Sequence, residues 1–168
     1  MPATTRFIGL LQKVELRQKL GLRGSLAYDR LRKQVVGAPP TPQLDDNSAE
    51  LHVITSRIDW LNALWALRSF YHFSGERYQL CVHEDGSLGS DEFAVIRRLF
   101  PGCRIIPETQ ALSEIIPWLS DYPRCQMLRK LKFISQKEFD FNFYLQAPIG
   151  ILFDSDLIFY SRPDFVCD

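Results

Sequence analysis

The sequence predicts an α/β domain with a mostly parallel sheet and flanking helices, preceded by a helical N-terminal arm. Three observations carry that prediction. From Leu51 onward, short apolar strand-like runs alternate with segments of helical period, the pattern of strands joined by right-handed crossovers. A stretch rich in proline and turn formers, GAPPTPQLDDNS at 37–48, separates this region from a basic segment before it. At 168 residues, 46% hydrophobic and 12% aromatic, the chain is long and apolar enough to close one core.

The elements follow in order. In residues 6–36, Phe7, Leu10, Leu11, Val14, Leu20, Leu22, Leu26, Leu31 and Val35 recur near the helical period. Gly21 and Gly24 are expected to break that arm in two. The arm is assigned 1–37 and the linker 38–50. LHVIT (51–55) is a first strand, and IDWLNALWALRSFYHF (58–73) a long helix. RYQLCVHE (77–84) alternates as a second strand, closed by an Asp85-Gly86 turn. Ser90 is placed as the N-cap of the helix DEFAVIRRLF, which Pro101-Gly102 stops. CRIIP (103–107) is a third strand, and 109–145 reads as helix interrupted near Pro117 and Pro123. GILFDSDLIF (150–159) is expected to be a buried strand ending in acids.

Composition narrows the function. Twenty Lys and Arg balance twenty Asp and Glu, so no global field attracts nucleic acid, and nucleic acid is not expected as a partner. The balance is uneven along the chain. Residues 1–37 hold eight basic side chains against two acidic ones, a basic arm ahead of an acidic domain. Such an arm suits either an anionic membrane surface or packing on its own domain. No run approaches a membrane span, and the N-terminus has no long apolar stretch of a secretory leader. Cys81, Cys103, Cys125 and Cys167 are scattered without a metal-binding spacing, and His52, His72 and His83 add none. They read as thiols and imidazoles of a protein in a reducing cytoplasm.

Ligands of parallel sheets gather at the carboxyl ends of the strands. That rule selects Thr55-Ser56-Arg57 with Asp59, Glu84-Asp85-Gly86, the loop after Pro107, and Asp154-Ser155-Asp156. The last is the sharpest feature. Two carboxylates between the apolar runs Ile149–Phe153 and Leu157–Phe159 are costly unless a charge compensates them. Mg²⁺ or Mn²⁺ would do so through hard oxygen ligands and could bridge to phosphate. A solvated acidic turn is the plainer alternative. In LRKLKF (128–133), Leu128, Leu131 and Ile134 are expected to face inward. Arg129, Lys130 and Lys132 would then be free to neutralise a diphosphate, or simply form a solvated basic face. Ser56, Arg57 and Asp59 at a helix N-terminus suit a nucleobase, ribose or phosphate contact, or plain capping. There is no G-x-G-x-x-G after the first strand, no P-loop and no G-x-S-x-G.

The order ITSRID, long helix, HEDGSL, LFPGCRI and ILFDSDLIFYSRP resembles the GT-A-type glycosyltransferases, the nucleotide-diphospho-sugar transferases. The likeness covers roughly residues 51–166. It implies a Rossmann-like GT-A sheet, with 51–168 as the nucleotide-sugar-binding part of a transferase domain that is incomplete at its C-terminus. It also implies Mn²⁺ or Mg²⁺ held by the acids Asp154 and Asp156 against the diphosphate of a nucleotide-sugar, with Asp156 as the direct ligand and Asp154 sharing the metal or touching the ribose. Thr55, Ser56, Arg57 and Asp59 would receive the nucleoside, and Arg129 or Lys132 would face the phosphates or sugar. The acceptor, a glycan, lipid or protein, is left open. The resulting expectation is a donor-binding half of a metal-dependent glycosyltransferase, cytoplasmic or peripheral at the inner face of a membrane. The rivals are a nucleotide-sugar-binding scaffold without turnover, a HAD-type phosphatase and a nucleotidyltransferase. For the phosphatase, Ile158 stands where a Thr or Val usually follows.

Overall fold

The computed structural model describes residues 3–131 and 135–167. Four strands form one parallel sheet: β1 Asp46–Thr55, β2 Tyr78–Glu84, β3 Arg104–Ile106 and β4 Ile149–Phe153. Their spatial order is β3-β2-β1-β4. The chain steps outward from β1 through β2 to β3, then returns to the other side of β1. Because crossovers keep one hand, reversing the direction of travel moves the connecting helices to the opposite face. Hence α2 (Trp60–Ser74) and α3 (Ser90–Leu99) cover one face. Across the other lie α4 (Glu108–Trp118) and α6 (Gln136–Tyr144), with α5 (Pro123–Leu131) between them in sequence.

Alternation along the strands divides the core accordingly. Leu51 and Val53 of β1 with Leu80 and Val82 of β2 meet Leu64, Leu67 and Phe70 of α2 and Ile96 and Leu99 of α3. On the other face Cys81 and Ile106 pack with Ala111, Ile115, Leu119 and Tyr144. That second face is also where the sheet buries its polar residues, Glu50, His52 and His83, at no more than 1% exposure.

Most expected elements are present, with instructive shifts. The arm forms α1 (Ala3–Lys33), and Gly21 breaks it at φ 67°, a left-handed conformation that glycine adopts without a Cβ clash. Gly24 continues the helix. A 3₁₀ turn at Gln34–Gly37 follows. The end of the arm is not detached: Val35 is in the core, the Trp65 indole donates to Arg32 O at 3.0 Å, and Tyr28 meets Asn62. The linker is equally anchored. Thr41 N donates to Leu99 O, Leu44 N to Pro101 O, and Leu44 is buried. The first strand begins at Asp46, five residues ahead of the Leu51 start that its apolar run suggests, because Asp46 pairs with Tyr78 beyond the hydrophobic stretch. Gly89, not Ser90, caps α3, and the Glu92 carboxylate accepts its N–H at 2.9 Å. Pro117 lies inside the end of α4, and Pro123 opens α5, where its missing N–H costs nothing.

Two expectations are corrected. β4 is an edge strand, not a buried one: Ile149 and Leu152 are about 60% exposed, and only Phe153 is fully buried. The apolar run therefore reflects one packed side plus an open edge. On α5 the inward face is the reverse of the hydrophobic expectation. Leu131 is 72% exposed, whereas Arg129 is 1% exposed, because the buried Asp140 and the partly buried Glu108 lie opposite it. Ile134 and Lys132 lie outside the described residues. Among the described residues no helix is long and apolar enough to cross a membrane.

Candidate functional site

Parallel strands end on the same side, so the four places selected by sequence order come together on one rim. The order β3-β2-β1-β4 puts the reversal of winding between β1 and β4, where open α/β sheets leave a crevice. The turn after β1 and the turn after β4 flank that crevice, and one side chain links them. The Ser155 hydroxyl donates to Asp59 Oδ2 at 2.7 Å.

Asp59 organises the β1 side. Its Oδ1 accepts the Ser56 N–H and the Ser56 hydroxyl, each at 2.7 Å, and the Thr55 hydroxyl at 3.2 Å. The Asp59 carboxylate thus curls the chain from strand into α2, whose first turn follows at Trp60. Thr55 is buried by this arrangement. It supports the turn rather than offering its hydroxyl to a ligand. Arg57 is exposed, but its guanidinium is held by Glu92 of α3 at 3.1 Å, and its backbone N–H donates to Ser87 Oγ at 2.8 Å. The β1 turn is therefore fastened to the β2 turn as well as to the β4 turn.

The β2 turn is built around Glu84. Its Oε2 accepts Gly86 N–H and Leu88 N–H, and its Oε1 accepts Glu108 N–H at the start of α4. Gly86 sits at φ 82°, which is why the DG pair is needed there. Burial pushes the Asp85 carboxyl above its ordinary value, against hydrogen bonds from Ser87, and the Asp59 charge adds to the rise. The rim is acid-rich, which favours a cation over a second anion.

Asp154 and Asp156 follow β4 on the same rim, and both are exposed. The desolvation cost that the sequence suggested is therefore absent, since neither carboxylate is buried. Asp154 pairs with Lys137 in the first turn of α6, a basic residue 17 positions away that no motif in the sequence marks. Asp156 also borders a cavity of about 770 Å³ between α1, α2 and the segment after β4, lined by Leu31, Trp65, Phe73, Ile158 and Tyr160 among others.

Arg129 is placed elsewhere than a phosphate contact requires. Its guanidinium is fully buried, donating to both Asp140 oxygens at 2.6 Å and to Glu108 at 2.7 and 3.1 Å. Burial disfavours its charge, but the hydrogen bonds and charges of Glu108 and Asp140 outweigh that and hold it above its ordinary value. Each of its three nitrogens donates, so it props α4, α5 and α6 against each other. Lys132, the other candidate on this segment, lies outside the described residues.

Against known protein families, curated proteins and solved structures, the chain has no significant match.

Proposed function

We propose that this chain binds a nucleotide-diphospho-sugar at the β1/β4 crevice, as the donor half of a metal-dependent glycosyltransferase of GT-A type. One observation supports the reading above others. Ser155, the centre of the Asp-Ser-Asp turn, is hydrogen-bonded to Asp59 at the reversal point of the sheet, so the acids and the β1 turn form one unit.

The residues fit a hard divalent cation of the Mn²⁺ or Mg²⁺ kind. Asp154 and Asp156 offer exposed carboxylate oxygens, and one or two carboxylates completed by water and phosphate are the usual protein share of such a site. Bound there, the cation supplies charge stabilisation for a departing nucleoside diphosphate. The chain's own residues do the positioning. Asp59 and Ser155 fix the turn that carries the two acids. Lys137, released from Asp154 when a cation takes that carboxylate, is a point charge within reach of a diphosphate. Ser56 and Arg57 border the place a nucleoside would occupy. On α1, Leu20, Leu22 and Leu26 are half or more exposed next to basic residues such as Lys19 and Arg23. That surface suits peripheral contact with an anionic membrane, where a lipid or glycan acceptor would be presented.

The test is calorimetric titration with UDP, GDP, CDP and their sugars, with and without Mn²⁺, on the chain and on Asp156→Ala. The expected result is one nucleotide that binds only with the metal, and loss of that binding in Asp156→Ala. Metal-independent binding, or unchanged affinity in the variant, would remove Asp156 from the role. No binding by a folded chain would overturn the donor-site reading.

A further inference from the structure

The second face of the sheet buries three side chains of metal-binding type that the donor-site reading does not use. His52 on β1 and Cys81 and His83 on β2 bring one ligand atom each within 4.8 Å of one another, all fully buried. The register explains the convergence. His52 lies opposite Cys81, and His83 is two residues on, so all three project from the same face.

The cluster is short of hydrogen bonds. His52 Nδ1 and His83 Nε2 face each other at 3.0 Å, and only one proton fits between them. His83 Nδ1 is buried without a partner, and His52 Nε2 lies 3.2 Å from Glu50 Oε2 without a well-aligned hydrogen bond. Buried polar atoms left unpaired in this way are rare and costly. Glu50 is buried beside them, its Oε1 accepting from the Arg104 guanidinium at 2.6 Å and its Oε2 accepting the Gln146 N–H at 2.9 Å.

We propose that His52, Cys81 and His83 form a buried site for a borderline-soft divalent cation, Zn²⁺ first, that clamps β1 to β2. The donor set is two imidazole nitrogens and one sulfur, which favours zinc over magnesium or manganese. Bond lengths of about 2.0 Å to nitrogen and 2.3 Å to sulfur place the donors about 3.3–3.6 Å apart. The His52–His83 pair needs to open only slightly, and the remaining atoms need to close by about 1 Å. The Cys81 thiolate offsets one charge of the dication, and the Glu50 carboxylate, shared with Arg104 at 2.6 Å, offsets part of the other. The cation takes the place of the proton shared by the two imidazoles, and Glu50 beside His52 plays the orienting part that carboxylates play behind metal-bound histidines. A fourth position goes to water. This site is chemically separate from the acids of the rim.

The bland reading is a metal-free histidine pair packed under Phe141, whose ring lies 4.7 Å from His83 and 5.3 Å from His52. Cobalt distinguishes the two. The full chain is unfolded and refolded with Co²⁺ under reducing conditions, so that burial does not block entry, and its absorption spectrum is read. A one-to-one site with a thiolate-to-cobalt charge-transfer band and tetrahedral ligand-field bands, displaced by Zn²⁺, is the expected result. The band should persist in Cys103→Ala/Cys125→Ala and in Asp154→Ala/Asp156→Ala. In Cys81→Ala, a small apolar replacement, affinity should fall by roughly a hundredfold or more, as for removing a ligand and not its support. A refolded wild-type chain with no thiolate band overturns the proposal without reference to any variant. So does a band that survives in Cys81→Ala.

Discussion

The Ser155 hydroxyl lies 2.7 Å from Asp59 Oδ2, joining residues 96 positions apart across the reversal point of the sheet. Asp59 spends its other oxygen on Ser56 and Thr55, so a movement of either turn is transmitted to the other. Ser155→Ala removes one neutral-to-charged hydrogen bond at a half-exposed position. The expected cost to stability is about 1 kcal/mol. On the proposed donor-site reading, the cost to metal-dependent nucleotide binding is larger in proportion, about tenfold, because the Asp154 and Asp156 carboxylates lose their fixed approach. Calorimetry on the variant beside its thermal melt separates the two. Equal binding with a lowered melting temperature would make the bond purely structural.

Lys137 gives a prediction with two opposite signs. Its ammonium neutralises Asp154, so it competes with a cation for that carboxylate and attracts an anion brought to it. Lys137→Ala should bind Mn²⁺ alone about two- to fivefold more tightly, the scale of an exposed ion pair. It should bind the nucleoside diphosphate with Mn²⁺ more weakly. Both changes weaken as salt is raised. Two changes of the same sign would remove Lys137 from the diphosphate contact.

Much of the fold was legible because periodicity is a direct trace of packing. The long helix from Trp60, the alternating β2 and the DG turn at Gly86 all stand where hydrophobic spacing and turn chemistry put them. The rim was legible too, since strand order alone places Thr55, Glu84 and Asp154 at the same end. The failures share one cause: a residue's type does not state its partner. Leu152 is as apolar as a core residue yet lies on an open edge, and Arg129 is as charged as a surface residue yet is buried. Glu108 and Asp140, 21 residues upstream and 11 downstream of Arg129, could not be matched to it without the fold. The His52, Cys81 and His83 grouping was hidden for the same reason, because it follows from strand register and not from spacing along the chain.

Arg129 yields a prediction that distinguishes a prop from a ligand contact. Arg129→Met keeps the apolar stem but leaves the Glu108 and Asp140 carboxylates without their common cation. Breaking a buried pair by removing one partner costs about 3–5 kcal/mol, enough for a large fall in the melting temperature. Nucleotide affinity, measured well below that temperature, should change little. A stable Arg129→Met with weakened nucleotide binding would reverse the assignment and return Arg129 to the phosphates.

Two carboxylates share the Arg129 guanidinium, and Asp140 is the fully buried one. Desolvation pushes Asp140 up to about 6, against the Arg129 hydrogen bonds and charge, with the Glu108 charge adding to the rise. In the unfolded chain the same group titrates at its ordinary 3.8. Between those values the folded state binds more protons than the unfolded one, so this group's contribution to stability falls as pH rises through about 6 and returns as pH is lowered. Asp140→Asn keeps an oxygen for Arg129 and removes the titration. The comparison that matters is the difference between wild type and variant, in which every other titrating group cancels to first order. The difference between them should shift in favour of Asp140→Asn as pH rises from about 4 to about 7, as read by chemical denaturation at each pH. A difference that is flat across that range would show that Asp140 is ionised throughout, with Arg129 holding its charge in full.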